Sequence, residues 1–208
     1  MPRYSEPVCR QCRVERTKLF FKGDKCLSDT CRVERRAYPP GQHGRARRRL
    51  LGYAIQLHEK QKLKRYYGMT ERQFRLFFTR AERQKGITGE NLLSLLERRL
   101  DNVLCLAGFA RSRAHGRQLI SHGHYLVNAR RVTVPSYLVD EGDEITLRPR
   151  SAKYEDIKGL IDGNRNKTLP SWVAVDWDNL KAKTSALPKR QDITLPIEEH
   201  YIVELYSK

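Results

Sequence analysis

No hydrophobic run in this 208-residue chain is long enough to cross a membrane, and the mean hydropathy is −0.70. A membrane-spanning helix needs about 20 predominantly apolar residues in succession. The chain also shows no secretion-signal pattern near its first residues. From these absences we expect a soluble, cytoplasmic protein with no membrane partner.

Motifs that would identify a catalytic domain are missing as well. We find no nucleophile beside a base, no acidic dyad and no phosphate-binding loop in a supporting context. A repeated recognition helix, which a metal-stabilised DNA-binding regulator would need, is also absent. We therefore expect neither an enzyme nor a small-molecule substrate.

Acidic residues are scarce in the first three quarters of the chain. The sequence has 41 Lys and Arg against 24 Asp and Glu, a formal net charge of +17. Residues 1–149 hold 31 basic and 15 acidic residues, whereas residues 150–208 hold 10 and 9. This excess predicts a polyanionic partner, and nucleic acid is favoured over a membrane surface because no apolar anchor accompanies the charge.

Cysteine is rare, but four of the five cysteines lie close together, as Cys9, Cys12, Cys26 and Cys31. Four thiolates at this spacing can surround one Zn²⁺, and a four-iron, four-sulfur (4Fe-4S) cluster takes the same ligands, so both metals stay open with zinc preferred. Disulfides are disfavoured in a cytosolic protein. We predict a structural metal knuckle. Cys105 lies in a helical pattern and is predicted to be buried. The cations between the ligands, which suggest a knuckle lying on RNA, are Arg10, Arg13, Lys18, Lys22 and Lys25.

The stretch after the cysteines is basic and rich in proline and glycine. Two prolines and two glycines exclude a helix, so we expect an extended arm. Such an arm suits RNA, with arginines on phosphates and Tyr38 or His43 stacked on bases; the alternative is a solvated linker. The arginines assigned to RNA here are Arg35, Arg36, Arg45, Arg47, Arg48 and Arg49.

Three helices are predicted next. The first covers Tyr53 to Tyr67, and the second covers Glu71 to Lys85 behind a Thr70 cap. The third starts near Glu90. Arg72 is assigned to RNA. The basic side of the first helix, also assigned to RNA, comprises Lys60, Lys62, Lys64 and Arg65. The second has a buried stripe at helical spacing, formed by Phe74, Phe77, Phe78 and Ala81.

Between Arg98 and Leu147 a helical pattern gives way to alternation. Two helices are predicted, the second capped by Ser112 and ended by Gly123. Tight turns are predicted at Asn128-Ala129 and at Glu141-Gly142-Asp143. Short strands are predicted at Tyr125 to Val127, Arg131 to Val134 and Ile145 to Leu147.

Two helices packed on a small sheet would present a basic, concave rim suited to phosphates and exposed bases. Arg113 and Arg117 are four residues apart, and we expect them to share an exposed face that contributes little to folding. Leu119 and Ile120 should point away from that face, towards the sheet. The residues assigned to RNA in this stretch are Arg111, Arg113, Arg117, His122, His124, Asn128, Arg130 and Arg131.

Together these motifs resemble the S-four family of small-subunit ribosomal proteins. The RNA-binding module is matched by RLDNV at 99–103, GFARSR at 108–113, RQLISHGH at 117–124 and GDEI at 142–145. Alone, this module also resembles segments of RNA-modifying enzymes and of some tRNA synthetases. The cysteines and the segment YPPGQHG at 38–44 favour the ribosomal family, in a cysteine-containing, metal-binding form.

The resemblance implies an α+β fold with a small antiparallel sheet in an inserted RNA-binding module. The parts are a knuckle and arm over residues 1–45, a helical domain over 46–97 completed by about 180–208, and the module with its extension over 98–179. The resemblance also implies binding to a multi-helix junction of small-subunit ribosomal RNA early in assembly. Neighbouring ribosomal proteins, messenger RNA where it enters the subunit, and a role in translational accuracy are implied too.

Two residues depart from the pattern of that family. Ala129 stands where a glycine is usual, so a left-handed turn there would be strained. Gly116 interrupts a helix where alanine is usual, at a cost of about 1 kcal/mol.

After Leu147 the signal weakens to a short helix over Ser151 to Ile161 and a strand over Trp172 to Trp177. Residues 193–206 are ambiguous between strand and helix.

Overall fold

A computed structural model of the chain describes residues 4, 6–46 and 51–207. The fold has two compact units, one formed by Met1–Leu92 with Leu195–Lys208 and the other by Leu93–Thr194. Within the described residues, no helix is both long and apolar enough to cross a lipid bilayer. The finer division of the first unit into a knuckle with its arm and a helical domain stays a prediction.

The first unit is helical. Its elements are α1 (Cys9–Glu15), a 3₁₀ turn (Gly23–Cys26), α2 (Arg32–Arg35), α3 (Gly52–Tyr66), α4 (Glu71–Glu82) and, after the second unit, α9 (Glu199–Tyr206). The chain passes into the second unit within α5 (Thr88–Glu97).

Helix α4 forms largely as its sequence predicts. The Thr70 hydroxyl oxygen accepts a hydrogen bond from the Gln73 N–H at 3.4 Å, and the predicted stripe of three phenylalanines and Ala81 is buried. The helix ends at Glu82, three residues before the predicted end at Lys85. Its C-terminal carbonyls are taken instead by the Asn91 amide, which donates to Ala81, Gln84 and Lys85 at 3.3–3.4 Å.

The ambiguous segment near the end of the chain is helical from Glu199 onwards. Ile202, which is fully buried, and Tyr206, whose ring stacks on Phe78 with centroids 4.3 Å apart, are four residues apart and so share one face of the helix. The Lys62 ammonium donates to the carbonyl of Pro196, which ties the approach to α9 to helix α3. Long-range packing, rather than the local pattern, therefore decides this element.

The second unit packs helices against one antiparallel sheet. Its helices are α6 (Leu100–Leu106), α7 (Arg113–His122) and α8 (Glu155–Gly163). Its strands are β1 (Tyr125–Val127), β2 (Arg130–Arg131), β3 (Glu144–Leu147), β4 (Val173–Asp176) and β5 (Lys181–Thr184), in the order β2-β1-β3-β5-β4. Val127 pairs with Ile145, and Ile145 pairs with Ala182, so these buried residues share the core face.

Helix α7 confirms its predicted ends. The Ser112 hydroxyl oxygen accepts from the His115 N–H at 3.3 Å, and Gly123 has a left-handed φ of 75°. Leu119 and Ile120 are buried in the core, as predicted. Gly116 allows close approach to α6, because a Cβ there would lie 3.0 Å from the Asp101 carbonyl oxygen.

The hairpin turn between β1 and β2 also confirms its prediction. Asn128 and Ala129 have φ of 48° and 62°, as a turn with two left-handed residues requires. Ala129 therefore carries strain of about 1–2 kcal/mol that glycine would avoid.

Two local predictions were wrong. The strand predicted over Arg131 to Val134 is limited to Arg130–Arg131, because the chain beyond it turns back so that the Pro135 and Tyr137 carbonyls accept from the first N–H groups of α6. Cys105 is half-exposed rather than buried, since the core stripe of α6 is filled by Leu100, Val103, Leu104 and Ala107. The strand predicted near Trp172 is present as β4, and the helix predicted from Ser151 is a 3₁₀ turn followed by α8.

Candidate nucleic-acid interface

A basic rim runs along α7, from Arg111 just before the helix to the start of β1, with Arg131 of β2 beside it. We define the α7 rim as Arg111, His115, His122, His124 and Arg131. The Arg111 N–H donates to Nδ1 of His115 at 3.4 Å, and the Arg131 guanidinium donates to the His122 carbonyl at 3.4 Å. The rings of His122 and His124 lie 5.9 Å apart. Arg111, His122 and Arg131 are exposed, so the rim presents its charge to solvent.

Two of the rim histidines are held neutral near pH 7. Burial lowers the pKa of His115, and the charges of Arg111 and His124 lower it further. Burial likewise lowers the pKa of His124, with His122 and Arg148 adding to the effect. Beside the charges of the rim arginines, these two rings therefore offer stacking surface and neutral hydrogen-bonding groups.

Sequence reasoning missed part of this surface. Tyr154, 58% exposed, meets the His124 ring edge-on at 5.8 Å, and Ser151 Oγ lies 2.9 Å from His124 Nδ1. An exposed aromatic ring beside cations suits an unstacked base. His115 was also missed, although its position four residues after Arg111 placed it one helical turn away. Tyr154 had no comparable local signal, because β1 and the chain after β3 meet only in the folded unit.

Arg113 and Arg117 do not share a free, exposed face. Both are half-buried: Arg113 Nε donates to Asn102 Oδ1 at 2.7 Å, and Arg117 Nε donates to Asp101 Oδ2 at 2.6 Å. The prediction of a shared, exposed face was therefore wrong, and these contacts now lead us to expect a contribution to folding from both arginines. The physical reason is that Gly116 brings α7 against the first turn of α6, where these polar side chains lie. Their assignment to RNA stays a prediction.

The RLDNV segment forms a buried polar network, which sequence reasoning treated only as a motif. Arg99 and Asp101 are each 1% exposed, and Arg99 donates from Nε and a terminal nitrogen to the two Asp101 oxygens at 3.0 and 2.8 Å. Asn102 donates to the Glu97 carboxylate at 2.5 Å. Burial alone would raise the pKa of Asp101, but the guanidinium groups of Arg99 and Arg117 outweigh it and hold that pKa below its ordinary value.

The β1–β2 hairpin exposes its two arginines but uses Asn128 within the fold. Arg130 and Arg131 are exposed, as an RNA contact requires. Asn128, however, is occupied by the turn: its amide donates to Asp143 at 2.7 Å and its side-chain oxygen accepts from the Glu144 N–H at 2.9 Å. Asn128 thus holds the hairpin against the turn before β3.

The basic side of α3 is neutralised inside the first unit. Lys60 and Lys64 donate to the Glu71 carboxylate at 2.6 and 2.8 Å, and Lys62 lies 3.4 Å from Glu59. Arg65 pairs with the buried carboxylate of Glu15. The expectation of an open basic side was therefore wrong, because α3 packs against α1, α9 and the start of α4. By contrast, Arg72 on α4 is exposed.

The basic arm is anchored at Tyr38. The Arg13 and Arg45 guanidinium groups lie 5.1 and 4.9 Å from the centroid of its ring, and Arg13 Nε donates to the Tyr38 carbonyl at 2.9 Å. A hydrogen bond from Arg45 holds the pKa of Tyr38 below its ordinary value. His43 is exposed. Arg35, Arg36 and Arg45 are exposed too, whereas Arg47, Arg48 and Arg49 lie outside the described residues.

The four N-terminal cysteines converge without completing a metal site. Cys12, Cys26 and Cys31 are buried, Cys9 is half-buried, and none of them forms a disulfide. Burial raises the pKa of Cys12 to about 11, and the nearby thiols of the other three add to the rise. Within the described residues, however, no three His, Cys, Asp or Glu side chains are arranged to hold a metal ion. The donor set fits a thiophilic ion by chemistry but not by its present geometry.

Comparison with known proteins covers both units. Residues 3–97 match the family model described as the ribosomal protein S4/S9 N-terminal domain, and residues 98–145 match the S4 domain. The chain is 54% identical over 208 residues to the small ribosomal subunit protein uS4 of Thermoanaerobacter pseudethanolicus, with 100% of both chains covered. It is 51% identical over 208 residues to uS4 of Halothermothrix orenii and 54% over 209 residues to uS4 of Desulfotalea psychrophila, again with 100% of both chains covered.

Proposed function

Because the chain belongs to the uS4 family of small ribosomal subunit proteins, we propose that it binds small-subunit ribosomal RNA and organises RNA helices during assembly. The observation that carries this proposal is the end-to-end similarity. An RNA-modifying enzyme that carried the same module would match only over that module. As a ribosomal protein the chain is not an enzyme, and its place is the small ribosomal subunit in the cytoplasm.

The mechanism is electrostatic and architectural. Cations that form no ion pair within the described residues neutralise phosphates and release counterions, while rings that are at least partly exposed accept unstacked bases. The phosphate contacts we propose are Arg35, Arg36, Arg45, Arg72, Arg111, Arg130 and Arg131. The base contacts we propose are Tyr38, His43, His122, His124 and Tyr154. Arg113, Arg117 and the α3 cations support the RNA surface from within, since each is engaged by a side chain of the same unit.

The finer role follows the family resemblance. We propose that the RNA target is a multi-helix junction and that binding there nucleates assembly of the subunit. We also propose contacts with neighbouring ribosomal proteins and with messenger RNA where it enters the subunit, through which the protein affects translational accuracy. A protein with RNA-binding surfaces in two units is suited to fixing the angle between RNA helices.

A binding titration tests the RNA function. Purified protein is titrated with small-subunit ribosomal RNA, and with large-subunit ribosomal RNA of matched length as the control, at a series of salt concentrations. With roughly 6–10 phosphate contacts, affinity should fall on the order of 10³- to 10⁵-fold between about 50 and 200 mM salt. Equal affinity for both RNAs would contradict the assigned target, and a flat salt dependence would contradict the electrostatic mechanism.

The cysteine quartet supports a second proposal, that Cys9, Cys12, Cys26 and Cys31 hold a structural metal. Zinc is the first candidate and a 4Fe-4S cluster the alternative, since both take four thiolates. Metals bind the thiolate rather than the thiol, so metal affinity should rise with pH. Elemental analysis of anaerobically purified protein should find about one zinc or about four irons per chain. Finding neither, with four thiols freely alkylated in the folded protein, would reject the metal.

A further inference from the structure

The turn between α6 and α7 carries the exposed Arg111, and side chains from far along the chain hold this turn in place. The Asn164 amide donates to the Gly108 carbonyl at 2.8 Å, and the Lys167 ammonium donates to the Cys105 carbonyl at 2.6 Å. The two donors lie 56 and 62 residues beyond their acceptors. Carbonyls in the last turn of a helix lack partners within it, so Lys167 completes the end of α6 and Asn164 fixes the turn that follows.

Trp177 packs on the same turn. Its ring meets the Phe109 ring edge-on, with centroids 6.1 Å apart. Gly108 has a left-handed φ of 79°, and a Cβ built there would lie 3.1 Å from the Trp177 ring and 3.1 Å from Asn164 Cβ. The turn therefore approaches both side chains so closely that only glycine fits.

These contacts reach Arg111 through a short piece of buried chain. Phe109 is fully buried, and its carbonyl accepts from the Tyr125 hydroxyl at 2.9 Å. Ala110 and Ser112, on either side of Arg111, are 1% and 7% exposed. Because both neighbours of Arg111 are buried, the placement of the turn determines where the Arg111 side chain leaves the surface.

The side chains that hold the turn follow α8, which ends at Gly163, whereas the S4 domain matches residues 98–145. We propose that Asn164 and Trp177 are positioning residues for RNA binding, an inference that rests on the proposed function. They hold the turn so that Arg111 is preorganised for its phosphate. A group already held in its bound arrangement loses less conformational entropy on binding, so its contact is tighter.

A double-mutant cycle in the full-length protein tests this role. Asn164→Ala, Arg111→Ala and the double variant are compared with the wild type in binding to small-subunit ribosomal RNA. Asn164→Ala removes no charge, so a loss of affinity cannot come from general electrostatics. Since Asn164 acts through Arg111, its replacement should lower affinity about three- to tenfold when Arg111 is present and less than about twofold when Arg111 is absent.

The matched control is Asn166→Ala, which replaces an exposed asparagine two residues further on and should change affinity by less than about twofold. An equal loss from Asn164→Ala in both backgrounds would mean that Asn164 contacts the RNA itself, and would overturn the positioning role. A result equal to that of the control would also overturn it. If the wild type fails to bind the RNA, the proposed function fails, and this inference fails with it.

Hydrogen exchange separates a loosened turn from a folding defect. The Phe109 and Ala110 N–H groups donate to the Leu104 carbonyl at 2.9 and 3.1 Å, and both should exchange faster in Asn164→Ala. The N–H of Leu119, within α7, should exchange as in the wild type. Unchanged exchange at the turn would contradict the proposal, and so would equal acceleration at Leu119, which reports unfolding of the whole unit.

Trp177→Phe repeats the cycle at a second position and keeps an aromatic residue in the fold. The six-membered ring of Trp177 lies against Gly108, and phenylalanine is too short to replace that contact. Affinity should fall about two- to fivefold with Arg111 present and stay nearly constant in Arg111→Ala. This variant decides the question even if Asn164→Ala does not fold. A loss of the same size in both backgrounds would overturn the proposal.

Discussion

The cations of α3 and those at the end of α2 look alike in the sequence but have opposite surroundings in the first unit. Lys60 and Lys64 on α3 both reach the Glu71 carboxylate, and Arg65 reaches Glu15. At the end of α2, Arg35 and Arg36 are exposed, and the carboxylate of that helix, Glu34, pairs with Lys18 instead. We therefore expect a basic stretch of this chain to form an RNA surface only where the fold brings no counter-charge to it.

The second unit repeats the contrast within one helix. Arg117 is tied to Asp101, whereas Arg111, just before the same helix, is exposed. Both arginines are equally plausible RNA contacts when only spacing is considered. The deciding partner comes from α6, sixteen residues away from Arg117. Whether an arginine of this protein is free to bind RNA is therefore decided by its tertiary contacts, not by its spacing in the sequence.

Removing the shared carboxylate should produce the largest effect. Asp101→Ala leaves Arg99, 1% exposed, without its ion pair, and an uncompensated buried charge costs about 3–5 kcal/mol. Urea unfolding of the full chain measures the loss. The matched control is Asp178→Ala, which removes an exposed partner of Arg165 and should cost less than about 1 kcal/mol. Similar small losses for both would mean that the network does not stabilise the unit.

Acidification should weaken the same network without a mutation. The pKa of Asp101 is lower in the folded protein than its ordinary 3.8, so the unfolded chain binds the extra proton first as the pH falls. The contribution of Asp101 is thus complete above its unfolded pKa and is lost progressively as the pH falls through the folded value. The effect should be smaller than that of Asp101→Ala, because the protonated carboxyl still forms hydrogen bonds. Unfolding free energies measured from pH 7 down to about 2.5 should show the decline. Asp101→Asn, which has no carboxyl to titrate at this position, should remove the contribution of Asp101 to the decline.

Separating Arg117 from Arg111 sharpens the contrast within α7. Arg117→Ala should lower the unfolding free energy by about 1–3 kcal/mol, through loss of a charged hydrogen bond to a buried carboxylate. Arg111→Ala should change it by less than about 0.5 kcal/mol. For RNA the order should reverse, with Arg111→Ala reducing the salt slope of binding by about 1. An Arg117→Ala protein of unchanged stability would show that the internal pair is unimportant.

The smallest effect is expected on α3. Lys64→Gln removes one of two cations from the half-exposed Glu71 carboxylate and should cost at most about 1 kcal/mol. Its affinity for small-subunit ribosomal RNA should stay within about twofold of the wild type, unlike that of Arg35→Gln at the end of α2. A large loss of RNA affinity from Lys64→Gln would remove the distinction between the two regions.

Features with a local cause were predictable from the sequence. The Ser112 cap, the Gly123 end of α7, the left-handed turn at Asn128-Ala129 and the buried stripe of α4 all depend on residues within one or two turns of each other. Each needs only a capping oxygen, a left-handed residue or a helical period. The structure confirms them, including the left-handed backbone expected to strain Ala129.

Features decided by distant residues were not predictable. The ion pair of Lys60 depends on Glu71, and that of Arg65 depends on Glu15, fifty residues earlier. The ion pair of Arg117 depends on the close approach of α7 to α6 that Gly116 permits. The helix α9 was likewise decided by its packing on Phe78.

The position of α9 in the chain determines the order in which the two units can fold during translation. The first unit needs α9, yet α9 is made after the whole of the second unit, Leu93–Thr194. Domains begin to fold while the chain is still being translated. The second unit can therefore finish folding while α3 and α4 still lack the strip of chain that covers Phe78. Premature termination just before Leu195 would release a chain whose RNA-binding module is folded but whose α4 phenylalanines are exposed to solvent. We expect such a chain to bind its RNA site and to aggregate there.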